Sequence, residues 1–277
     1  MSTLVKESWA LWIHQGKALA LREVGRNLAG RKAIPLLLVA SLPLVLAVLR
    51  ALFFPESKVG NTGTTVTEFA IIFQVVFLRL ILFFSCAAMF VRVFRGEILE
   101  RSLHFVFLAP IRRPVLVIGK YLGALLTALA VFLPTIVMTY IVYFLPHGFD
   151  HMTRFFTSNG GFGQFATYVF VVGLACTCYG AVFMLAGLFF KNPMVPAIML
   201  LLWEMMVPFM PPVLKAFSLI YYLTSLAPVP VSQGAFSFIA APVPNWLAVF
   251  ALMAITAGLL VVAAFKAQHM EISYASE

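Results

Sequence analysis

Long apolar runs separated by short charged stretches dominate the chain. Residues 34–54, 69–94, 115–145, 164–190, 195–212 and 246–265 are each long and apolar enough to cross a bilayer core, which takes about 20 helical residues. The expected fold is all-α and polytopic: a single transmembrane domain with six spans in residues 34–265, preceded by residues 1–33 and followed by a tail at 266–277. Residues 1–33 carry charges throughout and lead straight into the first run, unlike a cleavable signal. That first run is therefore expected to stay in the mature protein.

Two polar-interrupted segments add periodicity. Ahead of the first run, Val5, Trp9, Trp12, Ile13, Leu19 and Ala20 share one face at helical spacing, with Glu7, His14 and Lys17 opposite. Tryptophans followed by Arg22, Arg26, Arg31 and Lys32 suit an amphipathic helix in a membrane interface. Whether it has a protein partner or is a plain anchor is open at this level. Between the second and third runs, Glu97 and Glu100 occupy the first turn of a short helix, where negative charge complements the dipole, and Pro110 closes it. Leu99, Leu103 and Phe107 form an apolar ridge on that segment, of the kind that docks into a protein groove. After the fifth run, residues 218–226 and 233–239 are apolar pieces too short to span, separated by Ala227-Pro228-Val229-Pro230. They read as a re-entrant hairpin in the outer leaflet, or as a loop lying on its surface.

Composition excludes a water-soluble globule. Of the 277 residues 62% are hydrophobic and 10% charged, and the mean hydropathy is +1.01, so lipid must solvate most of the apolar side chains. The net charge of +9 then reads as topology and not as nucleic-acid binding. Lys6, Lys17, Arg22, Arg26, Arg31, Lys32, Arg92, Arg95, Arg101, Arg112, Arg113, Lys120, Lys191 and Lys266 fall on one side, with Arg50, Lys58, Arg154 and Lys215 on the other. The positive-inside rule places both termini in the cytoplasm of a cell-membrane protein.

Glu100-Arg101-Ser102-Leu103, then Phe107-Leu108-Ala109-Pro110-Ile111-Arg112-Arg113, then Gly119-Lys120-Tyr121-Leu122-Gly123 resembles the coupling segment of ABC transporter permeases of the type-2 exporter class. That family's segment reads Glu-x-Gly-Thr-Leu, Leu-Leu-x-x-Pro, a basic pair and Gly-Lys; here Arg101-Ser102 replaces the Gly-Thr. Ala20-Leu21-Arg22-Glu23 is similar to the family's lead-in to the first span. The resemblance implies a coupling helix between spans two and three, with Glu97, Glu100, Leu103, Phe107, Pro110, Arg112 and Arg113 at the ATPase contact. It further implies two separate ABC ATPase subunits that bind ATP and Mg, and a second permease copy or paralogue. This chain would hold no cofactor and catalyse nothing itself. A Gly-x-x-x-x-Gly-Lys loop is absent at Gly119-Lys120, where Pro114 occupies the first glycine position.

Other chemistry is sparse. Arg79 lies about 15 Å along the second run and Glu204 about 14 Å along the fifth, both near mid-membrane. An ion there costs roughly 2.5–3.5 kcal/mol on insertion scales, so the expectation is a pair that fixes packing, a place lining the translocation path or subunit interface, or a neutral Glu204. Pro208, Pro211 and Pro212 favour a break just beyond Glu204, which makes the fifth run the leading candidate for the path. His147, Asp150 and His151 have metal-ligand spacing, but Pro146 and Gly148 argue against the helix that would converge them, so a solvated outer loop is expected and no metal. Cys86, Cys176 and Cys178 read as small packing residues. An intramembrane hydrolase lacks its motifs. An ion-coupled secondary transporter built on Glu204 and Arg79, or a cargo-free mechanical subunit, are the alternatives to an exporter permease. The cargo, whether lipid-like, drug or ion, is not encoded in these motifs.

Overall fold

The computed structural model describes residues 2–28, 33–53, 62–99, 112–158, 160–190, 192, 194–231 and 243–269. Among these the chain is helical, with no strand. The elements are α1 (Ser2–Leu28), α2 (Ala33–Phe53), α3 (Thr62–Ile71), a π-helix (Ile72–Leu82), α4 (Phe83–Leu99), α5 (Arg113–Phe144) and α6 (Phe149–Ser158). They continue as α7 (Gly161–Phe189), α8 (Met194–Met206), α9 (Pro212–Lys215), α10 (Leu219–Ser225) and α11 (Asn245–Gln268), with 3-10 turns at Leu145–His147 and Val207–Phe209.

Among the described residues five helices are long and apolar enough to cross a membrane: Ala33–Phe53, Gly63–Gly96, Arg113–His147, Gly161–Phe189 and Asn245–Gln268. The fifth expected span is shorter than its apolar run. Its α-helix stops at Met206 after 13 residues and passes into the 3-10 turn Val207–Phe209, because Pro208, Pro211 and Pro212 supply no amide to an α-helical ladder. The stretch around His147, Asp150 and His151, expected to be a solvated loop, is also largely helical. Gly148 at φ 82° ends the preceding turn, α6 follows, and Gly160 at φ 72° starts α7; only glycine takes these left-handed values cheaply.

Helix α7 is the centre of the bundle. Tyr168, Val171, Val172, Ala175, Cys176, Cys178, Tyr179 and Phe183 are all buried, because neighbours surround it. Small residues let those neighbours approach. A Cβ on Gly180 would sit 2.5 Å from the Phe90 ring, and one on Gly187 would sit 2.7 Å from the Val91 carbonyl oxygen of α4. The peripheral α2 and α11 bury only a stripe. In α2 that stripe is Ala33, Ala40, Pro43 and Ala47, and in α11 it is Ala248, Leu252, Thr256, Ala263 and Ala267. Leu38, Leu52, Phe53 and Phe250 point outward, the arrangement of a helix solvated by lipid. The three cysteines are buried and free, as expected of packing residues.

Helix α1 has a partner inside the chain. It packs along the first turns of α5, where Gly119 and Gly123 form a Gly-x-x-x-Gly groove. A Cβ on Gly123 would lie 2.7 Å from the Ala20 carbonyl oxygen and 2.6 Å from Glu23 Cβ, and one on Gly119 would lie 3.1 Å from the Gly16 carbonyl oxygen. Of the expected apolar face, Ala20 is buried and Trp12 and Leu19 are half-buried there, while Trp9 and Ile13 stay exposed. Glu23, buried in the same contact, accepts a hydrogen bond from Arg26 Nη2 at 2.6 Å.

Candidate intramembrane site

A π-helix repeats its hydrogen bonds at i to i+5, so residues five apart stack on one side, whereas in an α-helix they lie about 140° apart. Gln74 and Arg79 are five apart, lie in the π-helical Ile72–Leu82, and are both buried. Gln74 Nε2 donates to the Val229 carbonyl at 2.9 Å, beyond α10. Arg79 Nη1 approaches Met205 Sδ at 4.0 Å, on α8. The winding thus turns two polar side chains of one span to the same side, Arg79 toward the end of α8 and Gln74 toward the segment that follows the break in the apolar run.

Glu204 enters the same interior from α8 and is 4% exposed. Of the two expected roles, pairing with Arg79 is not seen at ion-pair distance: among the described residues no ion pair within 4.0 Å joins Arg79 to Glu204. The donor to the carboxylate is Tyr179 of α7, whose hydroxyl lies 2.7 Å from Glu204 Oε2. The backbone amides of Leu219 and Ile220, which open α10, face the same carboxylate and present the positive end of that helix. Among the described residues Oε1 has no hydrogen-bond partner. Sequence reasoning missed Tyr179 and Gln74. A tyrosine in an apolar run carries no signal of its own, and the i+5 relation of Gln74 to Arg79 means nothing on an α-helical wheel.

The remaining candidates fall elsewhere. His147 Nε2 lies 2.9 Å from Thr65 Oγ1 at the opposite end of the bundle from α1. It is cut off from Asp150 and the His151 position by the Gly148 turn, and no group of metal-binding side chains assembles among the described residues. Beside it Arg50 donates to Glu68 Oε2 at 3.0 Å and to the Tyr143 carbonyl at 3.2 Å, tying together α2, α3 and α5 at that end of the bundle. An open groove of about 620 Å³ at the same end is lined by Thr167, Phe170, Trp246, Phe250 and Met253, mostly apolar and separate from Glu204.

At the α1 end, Arg112 places its guanidinium 4.2 Å from the Trp12 ring centroid. Arg113 Nη1 donates to the carbonyls of Ala267 at 3.1 Å and Gln268 at 2.5 Å, the last of α11. Both residues of the expected ATPase-contact pair are thus engaged within the chain. Lys120, also buried, donates to the Val93 carbonyl at 3.2 Å. Glu97 is in the last turns of α4, and nothing is described of its side chain; Glu100, Leu103, Phe107 and Pro110 lie outside the described residues. Of the expected hairpin, residues 218–226 contain α10, capped by Ser218 Oγ accepting from the Tyr221 amide at 3.4 Å, and residues 233–239 are outside the described residues.

The fold and its apolar helices define a multi-pass, all-α membrane protein. No protein-family model matches the chain, and no curated protein matches it either.

Proposed function

We propose that this chain is the transmembrane permease subunit of an ATP-driven exporter of the type-2 ABC class. Separate ATPase subunits and a second permease copy or paralogue would complete the assembly, in the cell membrane with both termini cytoplasmic. The observation that carries the reading is the segment from Glu97 to Arg113, with its apolar ridge, terminating proline and basic pair. The segment joins α4 to α5 at the end of the bundle where α1 packs. Contacts of Arg112 with Trp12 and of Arg113 with the end of α11 support a common side for α1 and the close of the last span.

In this reading ATP binding closes the partner subunits, the segment transmits the closure, and the spans tilt. The polar set of Gln74, Arg79, Tyr179 and Glu204 then lies on or beside the path, next to a helix that its prolines have already interrupted. The test is co-purification with an ATPase encoded beside the gene, using Leu103→Asp and Phe107→Asp. Loss of the ATPase with normal membrane insertion supports the reading, and retention with unchanged hydrolysis refutes it. The unpartnered Oε1 of Glu204 favours a second reading, an ion-coupled transporter in which that carboxylate binds the ion. It predicts ion-driven uptake or release by liposomes holding this chain alone.

A further inference from the structure

Helix α5 has 32 residues and is about 48 Å long, about 18 Å more than a hydrocarbon core of roughly 30 Å. Its first turns carry the helix's basic side chains, Arg113 and Lys120, and those turns grip three other elements. Arg112 covers the ring of Trp12, and Gly119 and Gly123 hold α1 at backbone contact. Lys120 donates to the Val93 carbonyl of α4 and lies 5.1 Å from the Phe94 ring centroid. Arg113 takes the end of α11. A helix C-terminus presents carbonyls without intrahelical partners and the negative end of the dipole, so a cation there is stabilising. The base in α11's own last turn does not serve: Lys266 places Nζ 5.1 Å from the centroid of the Phe189 ring. Arg113 from α5 supplies the charge instead, across 154 residues of chain.

We infer that Arg113 is the joint that passes motion of the 97–111 segment to the last span, so that α1, the start of α5 and the end of α11 move as one body relative to α8. The inference rests on the permease reading, which makes that segment the receiver of force. Its geometry is independent of it: the residue directly following Arg112 holds the last span by two charge-assisted hydrogen bonds, and Arg112 holds α1. Arg113 is a positioning residue that acts through α11 and touches no cargo.

The experiment uses the full permease–ATPase complex in nanodiscs, with nitroxide pairs and the labelled chain diluted into unlabelled copies. A pair at Met194 and Gln268 reads α11 against α8, and a pair at Ala10 and Gln268 reads α1 against α11; all three positions are exposed. With a hydrolysis-deficient ATPase, ATP should change the first distance and leave the second unchanged. Arg113→Ala should reduce the first change to less than half while leaving the nucleotide-free distances and the melting temperature close to wild type, and Arg113→Lys should restore it. Trp12→Ala provides a second variant, expected to make the Ala10–Gln268 distance nucleotide-sensitive. A full-sized change in Arg113→Ala, or no ATP-dependent change in the wild type, overturns the inference and leaves the permease reading standing. Failure of any ATPase to associate overturns that reading instead.

Discussion

At the residue scale the informative feature is a carboxylate buried within apolar helices whose hydrogen-bond donor is a tyrosine. Tyr179→Phe removes the hydroxyl 2.7 Å from Glu204 Oε2 and leaves a buried acceptor unsatisfied, which costs about 1–3 kcal/mol, more for a charged group. The expected outcome is a clear fall in melting temperature in detergent. In a double-mutant cycle, Tyr179→Phe with Glu204→Gln should show coupling of about 0.5–3 kcal/mol, and Arg79→Gln with Glu204→Gln a smaller one. A larger Arg79 coupling would mean that the ion pair forms in the membrane and the tyrosine contact is secondary. If Glu204→Gln leaves stability unchanged but alters the ATPase rate of the complex, the carboxylate serves the path and not the packing.

At the scale of elements, the docking of α1 on α5 depends on two missing side chains. Gly123→Leu would drive a branched side chain into the Ala20 backbone, and overpacking of this kind costs about 1–3 kcal/mol if α1 stays in place. The cheaper response is for α1 to lift away. A cysteine at position 20, where the native alanine is 5% exposed, should therefore change from protected to reactive toward a thiol reagent when Gly123→Leu is added. Unchanged protection would mean that α1 is held mainly by lipid and by Arg112. A second element-scale expectation concerns the opposite end. Arg50→Ala removes the link to Glu68 and the cation lying 4.1 Å from the Tyr143 ring centroid, and should loosen α2 from α3 and α5. Faster hydrogen exchange at the C-terminal end of α2, with the α1 end unaffected, is the measurement.

At the scale of the whole molecule, orientation follows from the distribution of basic residues. Cysteines at Ser2 and Ser276 should be shielded from an impermeant thiol reagent in intact cells, while one at Ser158 should react. Labelling of either terminal position would overturn the proposed orientation. The two arginines after the 97–111 segment are unsuitable probes of ATPase docking. Reversing the charge of Arg113 would place a carboxylate against the C-terminal carbonyls of α11, and reversing Arg112 would lose its stacking on Trp12, so the fold would respond before any partner did. Leu103 and Phe107 are the better positions.

What the sequence determined by itself is the class of the molecule and its long helices, because transfer of an apolar run into lipid is large and local: the composition of 20 or so neighbours decides it without reference to the rest of the chain. The prolines after Glu204 were legible for the same reason, since a missing amide ends a ladder wherever the helix lies. The amphipathic pattern of residues 5–20 marked a helix, but whether its apolar face met lipid or protein depended on the Gly119–Gly123 groove far along the chain. Tertiary structure alone decided the partners. Tyr179 of α7, and not Arg79, meets Glu204 within hydrogen-bond distance, Gln74 shares a side with Arg79 because the span winds as a π-helix, and Arg113 at the start of α5 meets the last carbonyls of α11. The first and third depend on distances between segments remote in sequence and the second on a local winding, and hydrophobic periodicity carries no information about either.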